Sequence, residues 1–216
     1  MNTQLMHDVT FYVMYGALAI AVFIIIERAL YFAFVGRQAR QLVNAMGPAL
    51  RSANELPKAL TSRPSLPLAM ARAVLDQKAA RGTRQDLDDV IESQYLESRA
   101  PLARSLWIIE TIVTAAPLLG LLGTILGIID TFKALASAGV SDPGQISAGI
   151  GTALYATGLG IAIALFCVVF HNLFQDRQER INDLLKRLLI RSAMGARTLD
   201  EATPAGHERP AQLRTI

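Results

Sequence analysis

The chain has 216 residues, of which 52% are hydrophobic, with a mean hydropathy of +0.34 and a formal net charge of +3. This composition indicates an integral membrane protein. The 21 basic residues are spread along the chain, which argues against a nucleic-acid partner. The single cysteine, Cys167, excludes an intrachain disulfide and is expected to pack as a small apolar residue.

Three segments are apolar enough to cross a membrane, since a hydrocarbon core needs about 20 apolar residues per helix. They run from about residue 10 to 35, from 106 to 132 and from 146 to 174. Residues 1–9 contain Asp8 and no Lys or Arg, unlike the basic start of a cleavable signal peptide, so we expect the first span to be retained. The predicted fold is therefore an all-α membrane protein with three transmembrane helices.

The basic residues also predict the topology. Residues 36–105 hold 11 Lys and Arg, residues 175–216 hold 8, and residues 1–9 hold none. The positive-inside rule then places residues 1–9 and the 133–145 link on the outer side of the membrane. It places the 36–105 loop and the 175–216 segment in the cytoplasm.

Helical patterns continue outside the spans. Gly47-Pro48, Pro57 and the segment 63–67 break the cytoplasmic loop into short helices, and another helix ends at Arg81-Gly82. Thr83 followed by Asp86 is typical of a capping box, and the helix that it begins is expected to run into the second span, which would allow a kink at Pro101.

The third span is expected to continue into the cytoplasm as an amphipathic helix. Apolar residues at helical spacing indicate this, namely Ile181, Leu184, Leu185, Leu188 and Leu189. Their predicted partners are Leu87, Ile91 and Leu96, and a flexible tail is expected from about residue 197 onward. In the first span, Glu27 and Arg28 are expected to pair and to snorkel at the membrane interface.

Polar and small residues form stripes in the second and third spans. At 100° per residue, one face of the second span carries Glu110, Thr114, Pro117, Thr124 and Thr131, and the same span contains Gly120, Gly123 and Gly127. One broad face of the third span carries Gly149, Thr152, Ala153, Ala156, Thr157, Gly160, Ala164, Cys167 and His171. Two interpretations stay open. The hydroxyls line a hydrated passage between neighbouring helices, or the threonines bond to their own helices while the glycines allow close packing.

Enzyme chemistry is not indicated. No phosphate-binding loop or nucleophile-elbow motif is present, and the glycines from 120 to 127 lie in a membrane span and not after a strand. The histidines, His7, His171 and His207, are far apart in sequence. We therefore predict no enzymatic activity, no cofactor and no metal site.

The residues from Ala116 to Phe132 and from Ile146 to Asn172 resemble the second and third spans of the ExbB/TolQ/MotA family. Three spans instead of four make the chain more similar to ExbB and TolQ than to MotA. The resemblance implies a homopentameric ring in the bacterial inner membrane around a dimer of a single-span ExbD-like partner (TolR for TolQ). Protons would pass an aspartate on that partner to drive a TonB-like transducer, or TolA in the Tol-Pal system.

The resemblance also implies residue roles. Thr124 and Thr157 match pore-facing threonines, Thr152 stands where many members have a glutamate, and Ala164 stands where proline is common. The implied ion pathway comprises Thr124, Thr157 and Thr152, with Thr114 and Glu110. Helix packing is assigned to Pro117, Gly120, Gly123, Gly127, Gly149, Ala153, Ala156 and Gly160. A substrate transporter is the second functional class, and the lack of an inverted repeat disfavours it. A structural scaffold that stabilises its partners is the third functional class.

Overall fold

The computed structural model describes residues 3–46, 55–56, 58–61, 64–80, 83–138 and 143–194. These residues form six α-helices and no strand, which confirms the all-α prediction. The helices are α1 (Thr3–Ala45), α2 (Lys58–Thr61), α3 (Leu66–Ala79), α4 (Arg84–Ala103), α5 (Leu106–Ala138) and α6 (Pro143–Ala193). The expected break at 63–67 is confirmed where it is described, because residues 64 and 65 are non-helical and α3 begins at Leu66 with a proline in its first turn. The expected breaks at Gly47-Pro48, Pro57 and Arg81-Gly82, and the expected tail, lie outside the described residues.

Three helices are long and apolar enough to cross a membrane. Their candidate spans are Leu5–Ala45, Leu106–Ala136 and Ile146–Ala193. Only 28 to 33% of the most apolar stretch of each span is buried within the protomer. Most of their apolar surface is therefore left for lipid or for other helices.

The contacts divide the chain into two compact units. The apolar unit comprises Met1–Ala33 and Pro101–Arg180. In it, α1 runs beside α6, and the rings of Phe32 and Phe174 pack edge to face with centroids 5.8 Å apart. Ala153, Ala156 and Cys167 are completely buried, so Cys167 packs as expected.

The polar unit comprises Phe34–Ala100 and Ile181–Ile216. Its core contains the predicted apolar stripe of α6, since Leu185, Leu188 and Leu189 are fully buried. They share this core with large apolar residues of α1 and α3, including Leu42, Leu68, Met70, Val74 and Leu75. The predicted contact of the stripe with Leu96 is wrong, because Leu96 is 54% exposed, whereas Leu87 is buried.

The start of α4 agrees with the sequence, whereas its end does not. The Thr83 N–H donates to Asp86 Oδ2 at 2.8 Å and the Asp86 N–H donates to Thr83 Oγ1 at 3.2 Å, which confirms the capping box. The expected continuation into the second span, with a kink at Pro101, is wrong. Pro101 lies inside α4, and the helix breaks after Ala103, where Ser105 has a φ of 66°. By contrast, α6 is one helix of 51 residues, as predicted.

Candidate functional site

In the contact between α5 and α6, the backbones of the two helices come very close to each other. A Cβ atom at Gly160 would lie 2.5 Å from the carbonyl oxygen of Ala116, and one at Gly120 would lie 2.9 Å from that of Ala156. No L side chain fits at these distances, so glycine is required at both positions. The helices consequently lie close enough for polar groups of one to bond to the backbone of the other.

The other glycines and alanines of the predicted packing set lie along the same contact. Glycines at 123 and 127 of α5 face the buried methyl groups of Ala156 and Ala153, and Gly149 of α6 faces the Thr131 hydroxyl. Pro117 is half-buried. The small-residue stripes thus meet each other within one protomer, which is the packing that the second interpretation describes.

Thr124 and Thr157 form the one cross-helix hydroxyl cluster among the described residues. Thr124 Oγ1 and Thr157 Oγ1 each donate to the Gly120 carbonyl at 3.0 Å, and the two hydroxyls contact each other. Both threonines are half-buried. The bond from Thr124 stays within α5, whereas the bond from Thr157 crosses from α6 to α5. The cluster therefore combines hydroxyl oxygens and a peptide carbonyl between two apolar helices.

The remaining residues of the predicted pathway lie elsewhere. Thr114 Oγ1 donates to the Thr111 carbonyl at 2.9 Å, and Thr152 Oγ1 donates to the Gly149 carbonyl at 2.9 Å. Both threonines are exposed in the protomer, and so is Glu110. The five predicted residues therefore do not form one cluster, and their role in ion passage stays a prediction.

Helix α1 adds residues that the sequence did not assign to this site. Thr10 is buried, and its Cγ2 lies 3.8 Å from the position of a Cβ at Gly123. His7 Nε2 lies 3.6 Å from the corresponding position at Gly127, and it has no hydrogen-bond partner among the described residues. Their spacing of three residues places both on one helical face, and this spacing is the sequence signal that could have identified them.

Arg28 joins α1 to the break between α4 and α5. Its side chain is 4% exposed, Nη1 donates to the Pro101 carbonyl at 3.1 Å, and Nε lies 2.9 Å from Glu27 Oε2. The guanidinium carbon also lies 5.1 Å from the centre of the Tyr31 ring. The pairing with Glu27 is confirmed. The expected snorkelling of Arg28 is wrong, because its guanidinium is buried in protein contacts, whereas the snorkelling of the exposed Glu27 stays a prediction. The break leaves carbonyls at the end of α4 without helical partners, and the buried guanidinium binds one of them.

No group of three or more His, Cys, Asp and Glu side chains within the described ranges could hold a metal ion. The centre of the site consists of the Thr124 and Thr157 hydroxyls and the Gly120 carbonyl, with Thr10 and His7 of α1 beside the same α5 glycines. Fold and site together define a multi-pass all-α membrane protein with a polar cluster between two of its spans.

Comparison with known proteins gives the family. The model of the MotA/TolQ/ExbB proton channel family matches residues 64–187. A putative biopolymer transport protein, ExbB-like 3, of Synechocystis is 32% identical over 165 residues, covering 74% of this chain and 78% of that protein. The chain therefore belongs to the MotA/TolQ/ExbB proton channel family.

Other relatives match over shorter ranges. The biopolymer transport protein ExbB of Aquifex aeolicus is 37% identical over 83 residues, covering 38% of this chain and 56% of that protein. The Tol-Pal system protein TolQ of Pseudomonas aeruginosa is 31% identical over 103 residues, covering 44% of this chain and 45% of that protein. The chain thus spans only about half the length of these two relatives. Membership places it among proton-channel membrane proteins.

Proposed function

We propose that the protein is the ring-forming subunit of a proton-driven complex in the bacterial inner membrane, with its N-terminus in the periplasm and its C-terminus in the cytoplasm. Five copies would surround a dimer of an ExbD-like single-span partner, and proton flow would energise TonB-dependent transport across the outer membrane. The observation that carries the proposal is the cluster of Thr124 and Thr157 on the Gly120 carbonyl. It lies where the family resemblance puts pore-facing threonines.

Uncovered small residues on α6 support the homo-oligomer. A Cβ atom at Gly151 or Gly158 would have no atom within 4 Å in the protomer. In lipid, helices associate mainly through close packing at such small residues. Exposed glycines in a membrane-length helix are therefore expected to contact a neighbouring copy or a partner helix.

The proton carrier is proposed to be on the partner. Residues 146–174 of this chain contain no Asp or Glu, and Thr152 cannot titrate at physiological pH. A charge in mid-membrane is costly unless it faces a hydrated or polar cavity. A wall of hydroxyls and carbonyls provides such surroundings for an aspartate on another helix, without a second charge.

The energy available suits a mechanical step. One elementary charge crossing the membrane releases about 2.3 kcal/mol per 100 mV. A few protons therefore supply several kcal/mol, which is enough to move a two-state equilibrium from one side to the other.

The test is proton flux through the chain and its partner, reconstituted together in liposomes. Thr124→Val and Thr157→Val keep the side-chain shape but remove the hydroxyls. Each is expected to lower flux roughly two- to tenfold, the effect of losing about one hydrogen bond, while the complex still assembles. Thr111→Val is the matched control, because Thr111 is exposed and donates only to the Trp107 carbonyl of its own helix. Unchanged flux in both cluster variants would instead favour a packing role for the threonines.

A TolQ-like role is the second candidate, supported by the match to the Pseudomonas protein. Expression of the chain in strains that lack either their own ExbB or their own TolQ separates the two roles. Recovery of TonB-dependent uptake supports the first, and recovery of envelope integrity supports the second. A structural scaffold would assemble with its partner but conduct no protons.

A further inference from the structure

A groove in the polar unit lies between the ends of α1 and α6. It has a volume of about 350 Å³, and the described residues that line it are Val43, Asn44, Arg187, Ile190, Arg191 and Met194. Ile190 and Met194 are 36% and 46% exposed. Arg191 Nη1 donates to the Val43 carbonyl at 2.7 Å, which joins the two helices at the groove. The groove thus offers an apolar floor beside two arginines.

The groove is positively charged. Arg187 and Arg191 are exposed, and neither forms an ion pair with any of the described residues. Arg40 is exposed on α1 one turn before Asn44, so it adds a third positive charge on the same helical face. The nearest carboxylate along α6 is that of Asp183, one turn before Arg187. A well-matched occupant therefore carries an apolar side chain and at least one carboxylate.

The end of α6 fixes where the chain leaves this groove. Lys78 Nζ donates to the Met194 carbonyl at 2.8 Å and to the Ser192 carbonyl at 3.5 Å, so the end of α6 is held on α3. Met194 itself lines the groove, and residues 195–216 follow it. The first of these is glycine, the residue type that most often lets a chain turn back after a helix. The C-terminal residues are therefore tethered at the edge of the groove.

The sequence distinguishes the two chain segments that begin near the groove. Residues 195–203 contain one large apolar residue, Leu199, which is followed directly by Asp200 and Glu201. Residues 47–54, which follow the end of α1, contain an arginine and no carboxylate. Only the first segment combines an apolar side chain with the negative charge that the arginines of the groove require.

We propose that residues 197–201 fold back into the α1–α6 groove of their own chain, with Leu199 against Ile190 and Glu201 beside Arg187. The docked segment covers the exposed apolar floor and ties the end of α6 to α1. The flexible tail expected from the sequence then begins after residue 201. The inference goes beyond the proposed function and does not depend on it, because it uses only residues of the polar unit within one protomer.

The chain is long enough for this return. The two assigned contacts on α6 lie four and seven residues before Met194, which is about 6 Å and about 10 Å of helix. Leu199 follows Met194 by five residues, and five residues of extended chain span up to about 17 Å. Alternate side chains of an extended segment share one side, so Leu199 and Glu201 face the groove together. Arg197 shares that side at the end of α6, where the helix dipole favours a positive charge.

Thiol labelling of the 216-residue chain, as dissociated protomers in mild detergent, tests the docking. In a Cys167→Ala background, Asn44→Cys places a reporter thiol at the groove without altering the apolar floor. Leu199→Ser is expected to speed maleimide labelling of this thiol roughly three- to tenfold, because the docked state loses the burial of one leucine. Leu213→Ser is the matched control in the same tail and should leave the labelling rate unchanged. A thiol from Arg72→Cys, exposed on α3 and outside the groove, should label at one rate in every variant.

Charge reversal tests the assigned ion pair. Glu201→Lys alone and Arg187→Glu alone are each expected to speed labelling of the Asn44→Cys thiol roughly two- to fivefold, the effect of losing an exposed ion pair. The two changes together in one chain are expected to restore the slow labelling. Glu208→Lys makes the same charge change further along the tail and should have no effect. Labelling in the combined variant that is as fast as in the single variants would overturn the assigned pair.

Three other outcomes would overturn the proposal. Labelling of the Asn44→Cys thiol that is equally fast with and without Leu199→Ser would show that residues 197–201 do not cover the groove. Faster labelling in Leu213→Ser alone would assign the groove to a later part of the tail. Protection of the thiol that exists only in the assembled complex would assign the groove to another copy or to a partner. Because the main measurement uses dissociated protomers, a failure of the proposed ring or of proton flux would leave its result unchanged.

Discussion

Replacement of Gly160 by alanine probes the contact on which the hydroxyl cluster depends. The new Cβ would lie 2.5 Å from the Ala116 carbonyl oxygen, 3.0 Å from the Gly120 Cα and 3.2 Å from the Gly120 nitrogen. All three are backbone atoms, so the helices must move apart as units. Overpacking of this kind costs about 1–3 kcal/mol.

Gly158 provides the matched control two residues away on the same helix. A Cβ there meets nothing within 4 Å in the protomer, so Gly158→Ala should stabilise α6 by about 0.5–1 kcal/mol through its higher helix propensity. Gly160→Ala gains the same propensity but loses the packing. We therefore expect Gly160→Ala to be less stable than Gly158→Ala by roughly 1–3 kcal/mol.

The assay is thermal unfolding of dissociated protomers in mild detergent, followed by helical circular dichroism. Dissociated protomers are needed because Gly158 is proposed to be covered in the ring. Equal melting temperatures for the two variants would refute the close α5–α6 approach. A reversed order of the two melting temperatures in the assembled complex would not contradict the close α5–α6 approach, because Gly158→Ala would then test the contact between copies.

Three further predictions concern other parts of the molecule. Arg28→Met should destabilise the protomer by about 1.5–3 kcal/mol in the same unfolding assay, because the Pro101 carbonyl and the Glu27 carboxylate lose a charged donor. Arg37→Met is the control and should have little effect, because Arg37 is exposed. The Thr83 hydroxyl, and to a smaller extent the Thr83 N–H, hold the pKa of Asp86 below its ordinary value. The stabilisation that the cap provides is therefore fully present above the ordinary carboxyl pKa and is lost as pH falls through the lowered pKa. Thr83→Ala should raise the pKa of Asp86 in an NMR titration, and an unchanged pKa would contradict the capping contribution. Glu110 and Asp130 lie near opposite ends of the second span, so neither is expected to carry protons across the membrane by itself. Glu110→Gln and Asp130→Asn should therefore each retain appreciable proton flux, whereas loss of flux in Glu110→Gln alone would move the relay into this chain.

Local signals in the sequence predicted local structure well. The capping box of Thr83 and Asp86 needs only residues three positions apart, and the length of α6 follows from an apolar spacing that continues through Leu189. The small-residue stripes likewise indicated that α5 and α6 approach closely. These features depend on neighbours along one helix or on the size of single side chains.

Features that depend on distant residues were predicted less well. The proline at 101 suggested a kink, but the helix breaks at residues 104–105, where Arg28, 73 residues away from Pro101, binds a carbonyl at the end of α4. The pairing of Thr124 with Thr157 depends on the relative height of two helices, which periodicity does not give. The broad face predicted for the third span included both Thr152 and Thr157, but these two residues lie about 140° apart around the helix and point in different directions.

Proton flux through the purified complex most directly tests whether the chain is a proton-channel subunit. The chain and its single-span partner are reconstituted in liposomes that contain a pH-sensitive dye, and a potential is imposed with valinomycin and potassium. We predict flux in the complete complex and its loss when the membrane aspartate of the partner is neutralised, with the same particle size by light scattering. An assembled complex that conducts no protons, or one that conducts equally well without that aspartate, would contradict the proposed function.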